Sequence, residues 1–235
     1  MPVSQPTSRD VDRACPLDDV DLMSMSDESL AALLDSAPVL HQLGETTVVR
    51  LSKDLVMKGG GNVLPSEAEV MKLVESETRV RAPRVHRSFQ VPDPTKYFGT
   101  LGYIVMDYIH GQPLDHCWES LDEGCRRDVA RQAAKMIMDM YQASPKVPAF
   151  RFTDFIITYQ DISPRNLILD ADGHVWLIDW ADAGGCPPAF ESAALDSQQS
   201  YPDFNAMVLS YIPSYPMELG QLRSIEYGLQ TVAFA

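Results

Sequence analysis

The sequence predicts an α+β fold on three grounds. Runs with strand-like patterning cluster before residue 110, with one helical stretch among them. The longest amphipathic helix pattern, about 122–143, opens the second half. An isolated hairpin signal, Asp172-Gly173 between two apolar runs, sits inside that otherwise helical half. Strands and helices that segregate along the chain mark α+β rather than alternating βαβ units.

The chain has 235 residues, enough for one large domain or two small lobes with a real core. Hydrophobic residues make up 45% and charged residues 22%, which excludes global disorder. Acidic residues number 33 against 19 basic, a net charge of -14. Such a chain repels bare phosphate backbones and anionic lipid, so neither nucleic acid nor membrane is an expected partner. Nucleotide binding survives this, because a metal ion and one local lysine can supply the positive charge. The four cysteines, Cys15, Cys117, Cys125 and Cys186, form no CxxC pair and read as reduced thiols. His41, His86, His110, His116 and His174 are scattered and give no zinc spacing. No basic segment followed by an apolar stretch opens the chain, and no run approaches the ~18 apolar residues of a membrane helix. A soluble, cytoplasmic protein is the expectation.

Residues 1–25 read as a flexible segment, 26–109 as a β-rich lobe and 110–235 as a mainly helical lobe. Asp27 is placed to cap a short helix over 28–34. Thr47-Val48-Val49-Arg50-Leu51 and Leu55-Val56-Met57-Lys58 read as a hairpin, broken by Gly59-Gly60-Gly61-Asn62. A helix follows over about 66–76, then extended chain over 84–89 and a clear strand over 102–108. Leu114, Trp118 and Leu121 repeat at helical spacing. Val129, Ala133, Met136, Ile137, Met140 and Tyr141 form one apolar stripe on the long helix. Strands over 166–169 and 174–178 flank the Asp-Gly turn, and the proline-rich remainder reads as short or irregular helices.

The chemistry concentrates in Tyr159-Gln160-Asp161-Ile162-Ser163-Pro164-Arg165-Asn166 and in Ile178-Asp179-Trp180. Asn166 and Asp179 lie at the two outer ends of the hairpin, which brings such ends together. Two oxygen ligands on adjacent strand ends suit Mg²⁺ bridging nucleotide phosphates. Asp161, just outside them, can take the proton of an incoming hydroxyl.

These residues resemble the protein-kinase catalytic loop and, more closely, that of the aminoglycoside phosphotransferase family, its fungal members in particular. The family loop reads roughly His-x-Asp-x-x-Pro-x-Asn, with a metal aspartate followed by Trp. Asp161, Pro164, Asn166, Asp179 and Trp180 match it, over a resemblance running from about residue 45 to 195. The resemblance implies a two-lobed protein-kinase-like fold with a β-rich N-lobe and a mainly helical C-lobe. It implies ATP and Mg²⁺ as cofactors and transfer of the γ-phosphoryl group to a hydroxyl of a small-molecule acceptor. By the same resemblance Lys58 places the phosphates and pairs with Glu67. The rival carboxylate, Glu69, points about 200° around the helix from Glu67. Met106, Asp107 and Ile109 fall in the hinge, whose backbone would hold the adenine.

The sequence also departs from the family pattern. Tyr159 stands where the family has histidine, Ala181 where many relatives have a carboxylate, and no glycine-rich loop precedes Lys58. About a dozen residues separate the long helix from Phe155, and about forty follow Asp196, regions where the family builds its acceptor wall. These departures motivate a second reading: a degenerate kinase fold that binds or converts a small molecule, as in a fungal secondary pathway, without phosphoryl transfer. The sequence names neither the acceptor nor the oligomeric state.

Overall fold

A computed structural model describes residues 15–18, 20–142, 155–220 and 222. The chain divides into two units. The first takes in the described residues up to Lys72 together with Pro83–Ile109; the second takes in Leu73–Ala82 and the described residues from His110 onward.

The first unit is built on a five-stranded antiparallel sheet. Its strands are β1 (Val39–Leu43), β2 (Thr46–Arg50), β3 (Leu55–Gly60), β4 (Val85–Pro92) and β5 (Thr100–Asp107), in the spatial order β1-β2-β3-β5-β4. The predicted hairpin is β2 and β3, with Val48 opposite Lys58. β1 was not anticipated, because Val39-Leu40-His41-Gln42-Leu43 lacks alternation and its outer residues are exposed. It turns into β2 through Gly44 and Glu45, with Gly44 at φ +56°, a turn geometry glycine adopts without strain. Gly60 has φ +147°, and a Cβ there would lie 1.8 Å from the Glu45 carbonyl oxygen. Only glycine lets these backbones approach so closely.

One face of the sheet buries Val49, Leu51, Met57, Tyr103 and Val105 with Leu30 of helix α1 (Asp27–Ala32). Leu17 joins this core at 4% exposure, and its N–H donates to Leu51 O at 2.8 Å. The first fourteen of the residues expected to be flexible lie outside the described ones. Ser26, not Asp27, caps α1 by accepting from Ser29 N at 3.2 Å. Asp27 is drawn away by Arg87, whose Nη2 lies 2.6 Å from its Oδ1. Helix α2 (Pro65–Glu77) follows β3, within two residues of the expected bounds.

In the second unit, β6 (Gln112–Pro113) leads into α3 (Leu114–Cys117) and then α4 (Glu123–Gln142). The expected stripe on α4 is buried from Val129 to Met140, and the Tyr141 hydroxyl donates to Pro188 O at 2.8 Å. β7 (Ile156–Thr158) precedes the 159–166 segment, which leads into β8 (Leu167–Leu169) and β9 (Val175–Leu177). β8 lies between β6 and β9. Gly111 approaches β8 so closely that a Cβ would stand 2.6 Å from Leu169 O. Asp170 closes the β8–β9 turn by accepting from the N–H groups of Asp172 and His174, at 3.0 and 2.8 Å. β10 (Gly184–Cys186) pairs with β7, and α5 (Ala189–Ser197) and α6 (Pro202–Leu209) follow. α6 packs on α4, and its Phe204 ring meets Trp118 edge-on at 5.3 Å.

Among the described residues, no helix is long and apolar enough to cross a membrane.

Candidate active site

In the first unit, Lys58 occupies the middle of the sheet on β3, between Val48 and Ile104. It is 7% exposed, and its Nζ lies 2.8 Å from Oε1 of Glu67, itself 3% exposed. Glu67 reaches inward because it shares its side of α2 with buried Ala68 and Met71, whereas Glu69 faces solvent. A lysine held this way has a fixed position in a low-dielectric setting, where its charge acts strongly on a phosphate.

Of the residues expected to form a hinge, Met106 and Asp107 end β5 of the same sheet and Ile109 lies just beyond it. Met106 lies opposite Val56 of β3 and Val85 of β4. Asp107 is committed to β4 through its backbone and side chain. Its N–H donates to Arg84 O at 3.1 Å, Oδ2 accepts from Arg84 N at 3.0 Å, and Oδ1 lies 2.6 Å from His86 Nε2. Tyr108 N–H donates to Asp54 O at 2.8 Å, and the Arg50 guanidinium lies 3.5 Å from the centre of the Tyr108 ring. These bonds occupy two successive hinge amides. The Ile109 N–H comes next along the chain.

In the second unit, Asp161 is the centre of a tight constellation. Asn166 Nδ2 donates to its Oδ2 at 2.7 Å and to its carbonyl at 3.0 Å. The Arg165 guanidinium donates to Oδ1, and Gln198 Nε2 approaches the same oxygen at 3.4 Å. The Asn166 carbonyl accepts from Ile178 N at 3.0 Å, so the hairpin sets Asn166 beside the residue that precedes Asp179. Since the Asn166 amide donates through nitrogen, its Oδ1 is the atom left to ligate a cation. An amide oxygen with a carboxylate is the donor set of a hard divalent ion, so these residues fit Mg²⁺.

The loop is held by contacts the sequence did not announce. Tyr159, fully buried, donates its single phenolic proton to the Asp179 carbonyl at 2.7 Å, shared with that of Ile178. Its ring meets Trp180 edge-on at 5.0 Å. Gln160 and Asp179 both adopt left-handed backbone, at φ +67° and +61°. Glu191 of α5, at 0% exposure, accepts from Tyr159 N at 2.6 Å and from Gln160 N at 3.1 Å. Burial pushes its carboxyl up to about 7; the two backbone bonds oppose this, and the charge of Asp161 adds to it. A glutamate in the first turn of a helix after two prolines reads in sequence as an ordinary dipole partner. Only the tertiary fold turns it under the loop. Asp182, the acid one residue beyond Ala181, is exposed and offers its carbonyl to Gln160 Nε2 at 3.3 Å.

Asp170, Asp172 and His174 also bring their ligating atoms together. Asp170 spends its oxygens on the turn and on Trp176 Nε1, at 2.9 Å, so the group serves the hairpin.

The chain has a protein-kinase-like fold, which several solved structures share. The gentamicin complex of APH(2'')-IIa superposes with a TM-score of 0.60 at 13% identity, covering 89% of this chain and 90% of that one. The streptomycin–ATP ternary complex of APH(2'')-IIa gives 0.58 at 14% identity, covering 80% and 82%. WaaP in complex with acyl carrier protein gives 0.55 at 14% identity, covering 88% and 90%. At such identities the likeness is one of fold. Among curated proteins, the chain is 26% identical over 180 residues to the MAP kinase kinase MKK1/SSP32 of Saccharomyces cerevisiae. That match covers 71% of this chain and 34% of the kinase, so the chain spans about a third of its relative's length. No family model matches the chain.

Proposed function

We propose that this protein is an ATP- and Mg²⁺-dependent phosphotransferase acting on a hydroxyl of a small molecule. The observation that carries this is the Asp161–Asn166 pair. One amide both orients the carboxylate through Nδ2 and keeps an oxygen for a metal ligand. Asn166 and Asp179 would hold Mg²⁺, which when bound would neutralise charge on the nucleotide phosphates. Lys58, fixed by Glu67, would place the phosphates, and the hinge backbone at Met106, Asp107 and Ile109 would receive the adenine. Asp161 would accept the hydroxyl proton of the acceptor as its oxygen attacks the γ-phosphorus. The fold shared with ATP-bound APH(2'')-IIa supports the nucleotide in this reading.

A second reading, a kinase fold that binds without transferring, is favoured by one observation: Arg165 already holds Oδ1 of Asp161. Calorimetric titration with ATP, with and without Mg²⁺, followed by an acceptor screen of the parent and Asp161→Asn, separates the two. Phosphotransfer requires metal-dependent ATP binding and product formation by the parent, with turnover lost and ATP affinity kept in Asp161→Asn. Transfer that persists in Asp161→Asn removes Asp161 from the role given to it. ATP binding with no transfer to any acceptor selects the second reading.

A further inference from the structure

Arg165 falls between Pro164 and Asn166, at a position the loop pattern leaves unspecified. Within the protein, each side-chain oxygen of Asp161 is already engaged: Oδ2 by Asn166, Oδ1 by Arg165 and, at 3.4 Å, by Gln198. A carboxylate that takes a proton from an incoming hydroxyl needs an accessible oxygen in line with it. The contacts differ in how readily they yield. Asn166 is 5% exposed, with its N–H bonded to Ser163 O and its carbonyl to Ile178 N. The Arg165 side chain is half exposed and sits on a long stem, so it is the partner able to leave.

Charge gives that movement a destination. The chain carries -14, and a triphosphate arriving at Asp161 brings more negative charge. Among the described residues that contact Asp161, Arg165 is the cation. Its planar fork matches two oxygens of one phosphoryl group.

We infer that Arg165 is the movable cation of the transfer step, held on Oδ1 of Asp161 at rest and passing to the γ-phosphoryl oxygens when the triphosphate binds. This rests on the phosphotransferase reading above. Its departure opens Oδ1 to the acceptor hydroxyl. The acceptor oxygen then forms a bond to the γ-phosphorus while the bond from that phosphorus to the β,γ-bridging oxygen breaks. The electron pair of the broken bond leaves with ADP, and the hydroxyl proton passes to Asp161. With ADP alone the phosphoryl destination is missing and Arg165 stays on Asp161. One residue thereby answers the objection that Oδ1 is taken and links exposure of Asp161 to the presence of the group to be transferred.

The test is calorimetric titration of the full chain with Mg–ADP and with the non-hydrolysable triphosphate Mg–AMP-PNP, for the parent, Arg165→Gln and Arg165→Lys. Arg165→Gln is expected to leave ADP affinity within about twofold and to weaken AMP-PNP by about tenfold or more, the scale of one lost charge-assisted contact. Arg165→Lys restores part of that loss, and thermal melts of both variants match the parent. Equal weakening of the two nucleotides, or no weakening of AMP-PNP, overturns the role given to Arg165 and leaves the phosphotransferase reading standing. A parent that binds neither nucleotide overturns both.

Discussion

The phenol of Tyr159 donates to the main-chain carbonyl of Asp179 at 2.7 Å. The residue that opens the 159–166 segment thus fixes the backbone of the residue proposed to hold Mg²⁺, from 20 positions away in the chain. Tyr159 thereby ties the two segments together through a polar contact, and the buried Trp180 packs against its ring.

Tyr159→Phe isolates that tie. The ring packing is kept, while the carbonyls of half-buried Ile178 and exposed Asp179 lose their shared donor. A loss of about 0.5–1.5 kcal/mol is expected, read as a lowered urea midpoint. In a chain of this size each kcal/mol lowers the melting temperature by roughly 2–4 °C. A variant as stable as the parent would show that water serves those carbonyls equally well.

Lys58 and Glu67 form a pair inside the first unit's sheet region. Removing either partner strands the other's charge in a buried position, at a cost of about 3–5 kcal/mol. The double replacement Lys58→Met with Glu67→Leu should cost much less than the sum of Lys58→Met and Glu67→Leu. Denaturant unfolding of the four proteins measures this directly, and additive losses would contradict a coupled pair.

Glu191 gives the stability a pH dependence of definite sign. Its carboxyl is raised from 4.5 to about 7 in the folded chain, chiefly by burial. The folded state therefore binds more protons than the unfolded state between those values, and stability from this group falls as pH rises through the window. It is fully present below 4.5 and lost above about 7. Glu191→Gln lacks the titration, so the parent should lose stability relative to it between pH 5 and 8. Parallel curves for the two proteins would refute the assignment.

Asn166→Ala removes the donor to Asp161 Oδ2 and the proposed ligand oxygen together. ATP affinity in EDTA should be unchanged, while the gain on adding Mg²⁺ should shrink by about tenfold or more, as loss of metal-site residues does. Calorimetry with and without the cation reads both. A metal-dependent gain of parental size would place the ion elsewhere.

The parts of this chain legible in sequence are those set by local patterning. The β8–β9 hairpin follows from an Asp-Gly turn between apolar runs, and α4 from a stripe whose members from Val129 to Met140 are buried. Lys58 and Glu67 meet across nine residues, a pair that the resemblance to kinase-like sequences implied rather than any local pattern. What was hidden depends on distant partners. Gly184-Gly185-Cys186 has no strand signature and becomes β10 only by pairing with Ile156-Ile157-Thr158. Asp27 resembles a cap until Arg87, sixty positions later, claims it. Glu191 reaches the loop amides across more than thirty residues, and no local pattern announces a buried acid there.

Gln160 and Asp179 are the non-glycine residues found with left-handed backbone among those described. For an L-residue this conformation costs about 1–2 kcal/mol, less for aspartate than for glutamine. A chain drifting toward maximal thermal resistance would exchange both for glycine. At 179 that exchange would discard the carboxylate proposed to hold the metal. Engineers who follow backbone geometry alone would obtain a sturdier and inert protein. A melting curve and an activity assay on Asp179→Gly should move in opposite directions, putting durability and usefulness in conflict at a single codon.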